Sequence, residues 1–94
     1  MTLAEASQLT RTYRESLKDG DAKGGYFGGG IFRKILAQAQ CVGIRIYFAN
    51  HEDGSPTFVL VGVDAYGSDL VFGDIAQKSF PCPPWCAVPN PLNK

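Results

Sequence analysis

The chain has little of what specialised functions usually require. It carries no net charge, since nine Lys and Arg balance nine Asp and Glu over 94 residues, so no bulk positive field draws in nucleic acid or an anionic membrane. It has one histidine and one tryptophan. It has no window of eighteen apolar residues, and Glu5, Arg11, Arg14, Glu15, Lys18 and Asp19 occupy the stretch where a leader would be apolar. Neither a membrane span nor a signal peptide is therefore expected, and a cytoplasmic location follows as the expectation. Its three cysteines are an odd number, which excludes a complete internal disulfide framework. At 10.2 kDa the chain is short enough to bury only about 60–65% of its unfolded surface, so a partner or a crosslink matters to it.

What is present has order. Leu3, Ala6, Leu9, Tyr13 and Leu17 recur at three- and four-residue steps, predicting an amphipathic helix over residues 2–18. Thr2 and Glu5 supply a capping box, and Gly20 suits the stop. Residues 19–30 hold six glycines and read as a loop, because each glycine loses much backbone freedom on ordering. A second helix is expected from about Ile31 to Gln40, with Ile31, Phe32, Ile35, Leu36 and Ala39 as its apolar stripe.

From Val42 the period becomes two. Val42, Ile44, Ile46 and Phe48 alternate with Gly43, Arg45, Tyr47 and Ala49, predicting a strand with one apolar face. Asp53-Gly54 marks a turn, and Thr57 to Val63, apolar on both faces, reads as the middle strand of a sheet. A third strand is expected over Asp69–Phe72 after a turn at Tyr66-Gly67, with Asp74 capping a last helical turn through Gln77. Five of the six prolines fall between Pro81 and Pro91, which predicts an extended segment anchored by Trp85. The expected architecture is α+β: two N-terminal helices packed on a three-stranded antiparallel meander as a domain of residues 1–80, then a proline-rich tail of residues 81–94.

The segments CVGIRIYFA, LVGVDAYGSDL and PCPPWC resemble those of short bacterial proteins, of no assigned activity, that carry a G-[IL]-R-[IF]-Y strand, a VGVD strand and a CPPxC tail. The resemblance covers about Gly24 to Cys86. It implies one compact domain and implies no chemistry.

Candidate sites stand beside simpler readings. Cys82 and Cys86 are separated by three residues rather than the two of a redox motif, so reduced structural cysteines are the default and a local disulfide is the alternative in an oxidising compartment. Cys41 and His51 would complete a four-ligand zinc set with them, but no second close pair exists, and no metal or other cofactor is expected. Gly28, Gly29 and Gly30 precede a helix with Lys23 and Arg33 nearby, a weak anion-binding pattern that lacks the order of a phosphate loop. Asp64, Asp69 and Asp74 match no calcium loop. His51 lies in a polar turn without a nucleophile motif. Arg45 is a charge on an apolar strand and is expected to pair with a carboxylate such as Asp64.

Charge is uneven along the chain: residues 1–47 hold seven basic and four acidic groups, residues 48–94 two and five. Opposite halves favour association within or between molecules. The expected function is a small protein-interaction module, self-associating or serving a protein partner, without catalysis, and with Arg45, Tyr47 and Trp85 as contact residues. A small-ligand or anion-binding domain using the glycine loop is the alternative. Neither nucleic acid nor membrane is expected as a partner.

Overall fold

Thr2 starts the first helix by the expected exchange of hydrogen bonds. Its Oγ1 accepts the Glu5 N–H at 3.1 Å, and its own N–H donates to Glu5 Oε1 at 3.2 Å. The computed structural model describes residues 1–77 and 79–93. Along the chain run α1 (Leu3–Arg14), β1 (Gly24–Tyr26), α2 (Gly29–Leu36), β2 (Gly43–Asn50), β3 (Pro56–Val63), β4 (Ile75–Ala76) and β5 (Phe80–Cys82). They fall into two units, one of Met1–Tyr26 with Phe80–Lys94 and one of Phe27–Ser79. The class is mixed α and β with antiparallel sheets, including the expected three-stranded meander.

In the first unit α1 ends four residues earlier than its apolar pattern suggests. The Ser16 hydroxyl donates to the Tyr13 carbonyl at 2.8 Å, and the Lys18 N–H donates to Asp21 Oδ2 at 2.9 Å, so the next helical bonds are not made. The buried face also differs from the expected one. Leu3, Leu9 and Tyr13 are exposed, while Ser7 is buried and Ala6, Thr10, Arg14 and Leu17 are half-buried beside it. A buried serine is tolerable here because its hydroxyl donates to the Ala4 carbonyl at 3.0 Å and leaves no polar group unpaired.

The glycine-rich loop and the proline-rich segment each contain a strand that the sequence does not announce. β1 pairs antiparallel with β5, with Gly24 opposite Cys82, Gly25 opposite Pro81 and Tyr26 opposite Phe80. Gly25 makes a close approach there, since a Cβ would meet the Phe80 carbonyl oxygen at 3.0 Å and the strand would have to give. Pro81 is compatible with a two-stranded ribbon because each strand has a free side on which its missing N–H costs nothing.

In the second unit β3 lies between β2 and β4, the interior position expected of a continuous apolar, β-branched run. Gly54 at φ +88° closes the β2–β3 hairpin, with the His51 N–H on the Ser55 carbonyl at 2.8 Å. Ile35 of α2, Leu60 and Ala76 are buried on one face of this sheet, with Phe27, Ile31, Phe32, Cys41, Ile44 and Phe58 packed around them, and Val61 is buried on the other face. Of the expected helical stripe, Leu36 and Ala39 are exposed. α2 starts at Gly29 and stops at Leu36, short of the expected Gln40, because the Gln38 side chain turns back to the Ile35 carbonyl at 2.9 Å and Gln40 adopts φ +68°.

The third strand is not Asp69–Phe72. That segment makes a single bridge, Asp69 to Val63, and the strand proper is Ile75–Ala76, opposite Val61 and Leu60. Gln38 decides the register. Its Oε1 accepts the Asp74 N–H at 2.9 Å, and Gly73 lies so close against the same side chain that a Cβ would collide with it. Asp74 consequently caps no helical turn; its carboxylate lies 3.4 Å from Lys34 Nζ.

Candidate interaction surface

α2 is too short for the strand it covers. Its eight residues span about 12 Å at 1.5 Å each, whereas the eight residues of β2 span about 27 Å. Ile44 is half-buried in the core, but Ile46 and Phe48, two and four positions further on the same face, are 56% and 90% exposed. Phe48 meets Phe58 across the hairpin, with ring centroids 5.8 Å apart.

β2 is also an edge. The order β2-β3-β4 leaves its outer side without a strand among the described residues, so alternate residues turn unpaired N–H and C=O groups outward. Natural edges are usually protected by shortness, proline, a bulge or an unpaired charge. Here the pairing with β3 runs unbroken from Gly43 opposite Val63 to Asn50 opposite Pro56, and β2 contains no proline.

Its one charge is neutralised on the other face. Arg45 Nη1 donates to Asp69 Oδ1 at 2.5 Å and to the Gly67 carbonyl at 3.0 Å, while the Tyr47 hydroxyl donates to Asp69 Oδ2 at 2.5 Å. The hydrogen bond from Tyr47, with the guanidinium of Arg45, holds the Asp69 carboxyl below the usual carboxylate range. The same carboxylate raises the Tyr47 phenol and the Arg45 guanidinium, chiefly by accepting their hydrogen bonds. Asp64, the expected partner of Arg45, is committed to its own turn, where Oδ1 accepts the N–H groups of Tyr66 and Ser68.

The remaining sequence candidates distribute over both units. Trp85 stands against Phe80 with ring centroids 5.4 Å apart, and Phe80 stacks on Tyr26 at 4.7 Å, so β1 and β5 carry an aromatic row. Cys82 and Cys86 are joined as a disulfide, with Cα atoms 4.6 Å apart, in place of the default reduced pair. Beside them a groove of about 310 Å³ is lined by Lys23, Tyr26, Trp85, Asn90 and Asn93. Lys23 Nζ already donates to the Asn93 carbonyl at 2.6 Å, and the Asn93 amide donates to Ala87 and Val88.

Gly28 is the N-cap of α2 and makes no side-chain cap. Arg33 folds back toward Gly29, where a Cβ would meet its Nη1 at 3.2 Å. Gly28, Gly29, Gly30 and Arg33 are thus local to one helix start, while Lys23 belongs to the other unit. Cys41 Sγ donates to the Gly43 carbonyl at 3.2 Å, and among the described residues no three His, Cys, Asp or Glu side chains gather as a metal site.

Asp69, Ile46 and Phe48 are the surface residues that sequence reasoning placed otherwise. The signal available was a mismatch of lengths, a helix of few residues set against a strand twice as long in space. In comparisons with protein-family models, curated proteins and solved structures, the chain finds no match.

Proposed function

We propose that this protein is a small, non-catalytic interaction module that takes a protein strand on the free edge of β2. The observation that carries the reading is an eight-residue edge strand, apolar beside its edge at Ile46 and Phe48, without proline or a break in its pairing. Strand addition obtains affinity from backbone hydrogen bonds and specificity from alternate side chains. Both requirements are present: outward backbone groups along β2, and exposed apolar side chains every second residue.

Among the described residues no polar constellation competes with this reading as a catalytic centre. The Arg45, Tyr47 and Asp69 groups satisfy one another, and His51 is exposed in a hairpin turn. Random peptides displayed and selected against the folded chain test the proposal. They should converge on segments with alternating apolar residues, and synthetic copies should bind the Phe48→Asp variant about tenfold or more weakly while binding a Val88→Asp control normally. Selected peptides that ignore Phe48→Asp would remove β2 as the docking strand.

A further inference from the structure

We infer that the strand taken by β2 is β2 of a second copy, paired antiparallel about a two-fold axis at Tyr47. The inference rests on the interaction reading above and adds the occupant and the register. Three observations lead to it.

The first is charge. A strand that pairs with its own copy brings identical charges together, which ordinarily opposes self-pairing. The only charge on β2 is Arg45, and Asp69 of the same chain neutralises it. The strand offers a foreign partner no unpaired charge to recognise, and it offers its own copy nothing to repel.

The second is symmetry. Two antiparallel strands related by a two-fold axis normal to the sheet keep the same faces, so residues on one face meet residues on that face. With the axis at Tyr47, Phe48 of one copy lies opposite Ile46 of the other, and the reverse contact follows by symmetry. These are the two exposed apolar residues that α2 leaves uncovered on the core face. Moving the axis one residue to Ile46 would set Phe48 against Ile44, which is already half-buried in its own core. The Tyr47 register therefore matches exposed with exposed and extends each meander into a six-stranded sheet with both α2 helices on one face.

The third is magnitude. An edge about 27 Å long, with a nearly free Phe48 and half-exposed Ile46 and Tyr47, provides on the order of 400 Å² per copy, taking ~200 Å² for a free aromatic ring and about half of that for a half-exposed side chain. Stable interfaces bury roughly 800 Å² per partner. The pair is therefore a weak, concentration-dependent dimer.

Sedimentation of the full chain from about 1 µM to 1 mM, the range over which a weak pair assembles, reads the first consequence. The mass should rise from monomer to dimer, and Phe48→Asp and Ile46→Lys, each checked for folding by circular dichroism, should hold it at monomer. The register is read by Tyr47→Cys in a Cys41→Ser background under mild oxidation. Residues facing each other on the axis have Cα atoms about 4.5–5.5 Å apart, within disulfide reach, so a covalent dimer should form, while Val71→Cys should not give one. A chain that stays monomeric throughout, yet still binds selected peptides through Phe48, would overturn the second copy and leave the interaction reading standing. A dimer indifferent to both Phe48→Asp and Ile46→Lys would overturn β2 of the second copy as the strand that is taken. A dimer that these variants abolish but that Tyr47→Cys fails to crosslink would overturn the register.

Discussion

Arg45 and Asp69, twenty-four positions apart, are joined by a 2.5 Å hydrogen-bonded ion pair, and the second oxygen of Asp69 takes the Tyr47 hydroxyl. One carboxylate thereby fastens the loop after β3 to the face of β2 opposite α2. It also removes the only charge that would mark that strand.

This relationship predicts a stability profile with an acid and an alkaline limit. Asp69 is held below the unfolded carboxylate value, so its contribution is present above about pH 4 and is lost as pH falls through the lowered folded value. Tyr47 is raised, so its contribution is present below about pH 10 and is lost as pH rises through the folded value. Phenolate absorbance should show a late step above the ordinary tyrosine range, and Tyr47→Phe should remove that late step. In Asp69→Asn the late step should return toward the ordinary tyrosine range.

Gly62 should resist any side chain. It is buried in β3, and a Cβ would meet Gln38 Nε2 at 2.9 Å, Cys41 Sγ at 3.0 Å and Leu70 Cδ1 at 3.2 Å. Gly62→Ala should cost about 1–3 kcal/mol by overpacking, read by urea unfolding. Cys41→Ala should recover part of that loss when combined with it, because it vacates one of the three neighbours.

Val61 is 4% exposed in the central strand. Val61→Asp places an unpaired carboxylate there and should cost roughly 3–5 kcal/mol, enough to unfold so small a chain. His51→Ala, in the exposed hairpin turn, should stay within about 0.5 kcal/mol. A cooperative thermal transition in Val61→Asp close to that of the parent would contradict the placement of the core.

The disulfide between Cys82 and Cys86 closes a five-residue loop that holds Trp85 near Phe80, with the Trp85 N–H on the Pro81 carbonyl at 2.8 Å. A loop that short restrains the unfolded chain by about 2 kcal/mol in the entropic account. Reduction with excess dithiol should shift the fluorescence of the single tryptophan to the red, and Phe80→Ala should give the same shift without reduction. An emission maximum unmoved by either change would mean that Trp85 is not held by this row.

Certain parts of the fold were legible because the interactions that make them are local in sequence. Thr2 and Glu5 are three residues apart and cap α1 wherever that helix packs; Asp53-Gly54 turns the chain back on itself, and alternation then sets β2 beside β3. The continuous apolar, β-branched run of Thr57 to Val63 is itself the pattern of an interior strand, the position β3 takes. Tertiary structure decided what depends on distant partners. The third strand forms at Ile75–Ala76 because Gln38, thirty-six positions earlier, captures the Asp74 N–H. Gly24–Tyr26 becomes a strand because Phe80–Cys82 comes to lie beside it, although glycine and proline each disfavour strands by themselves. Ser7 is buried and Leu9 is not, and Arg45 takes Asp69 rather than Asp64. In each case several partners of equal chemistry stand in the sequence, and the free energy that separates them resides in the geometry of the folded chain. The open edge of β2 has the same origin: alternation specifies an apolar face, and only the length of the helix laid across it determines how much of that face remains for another strand.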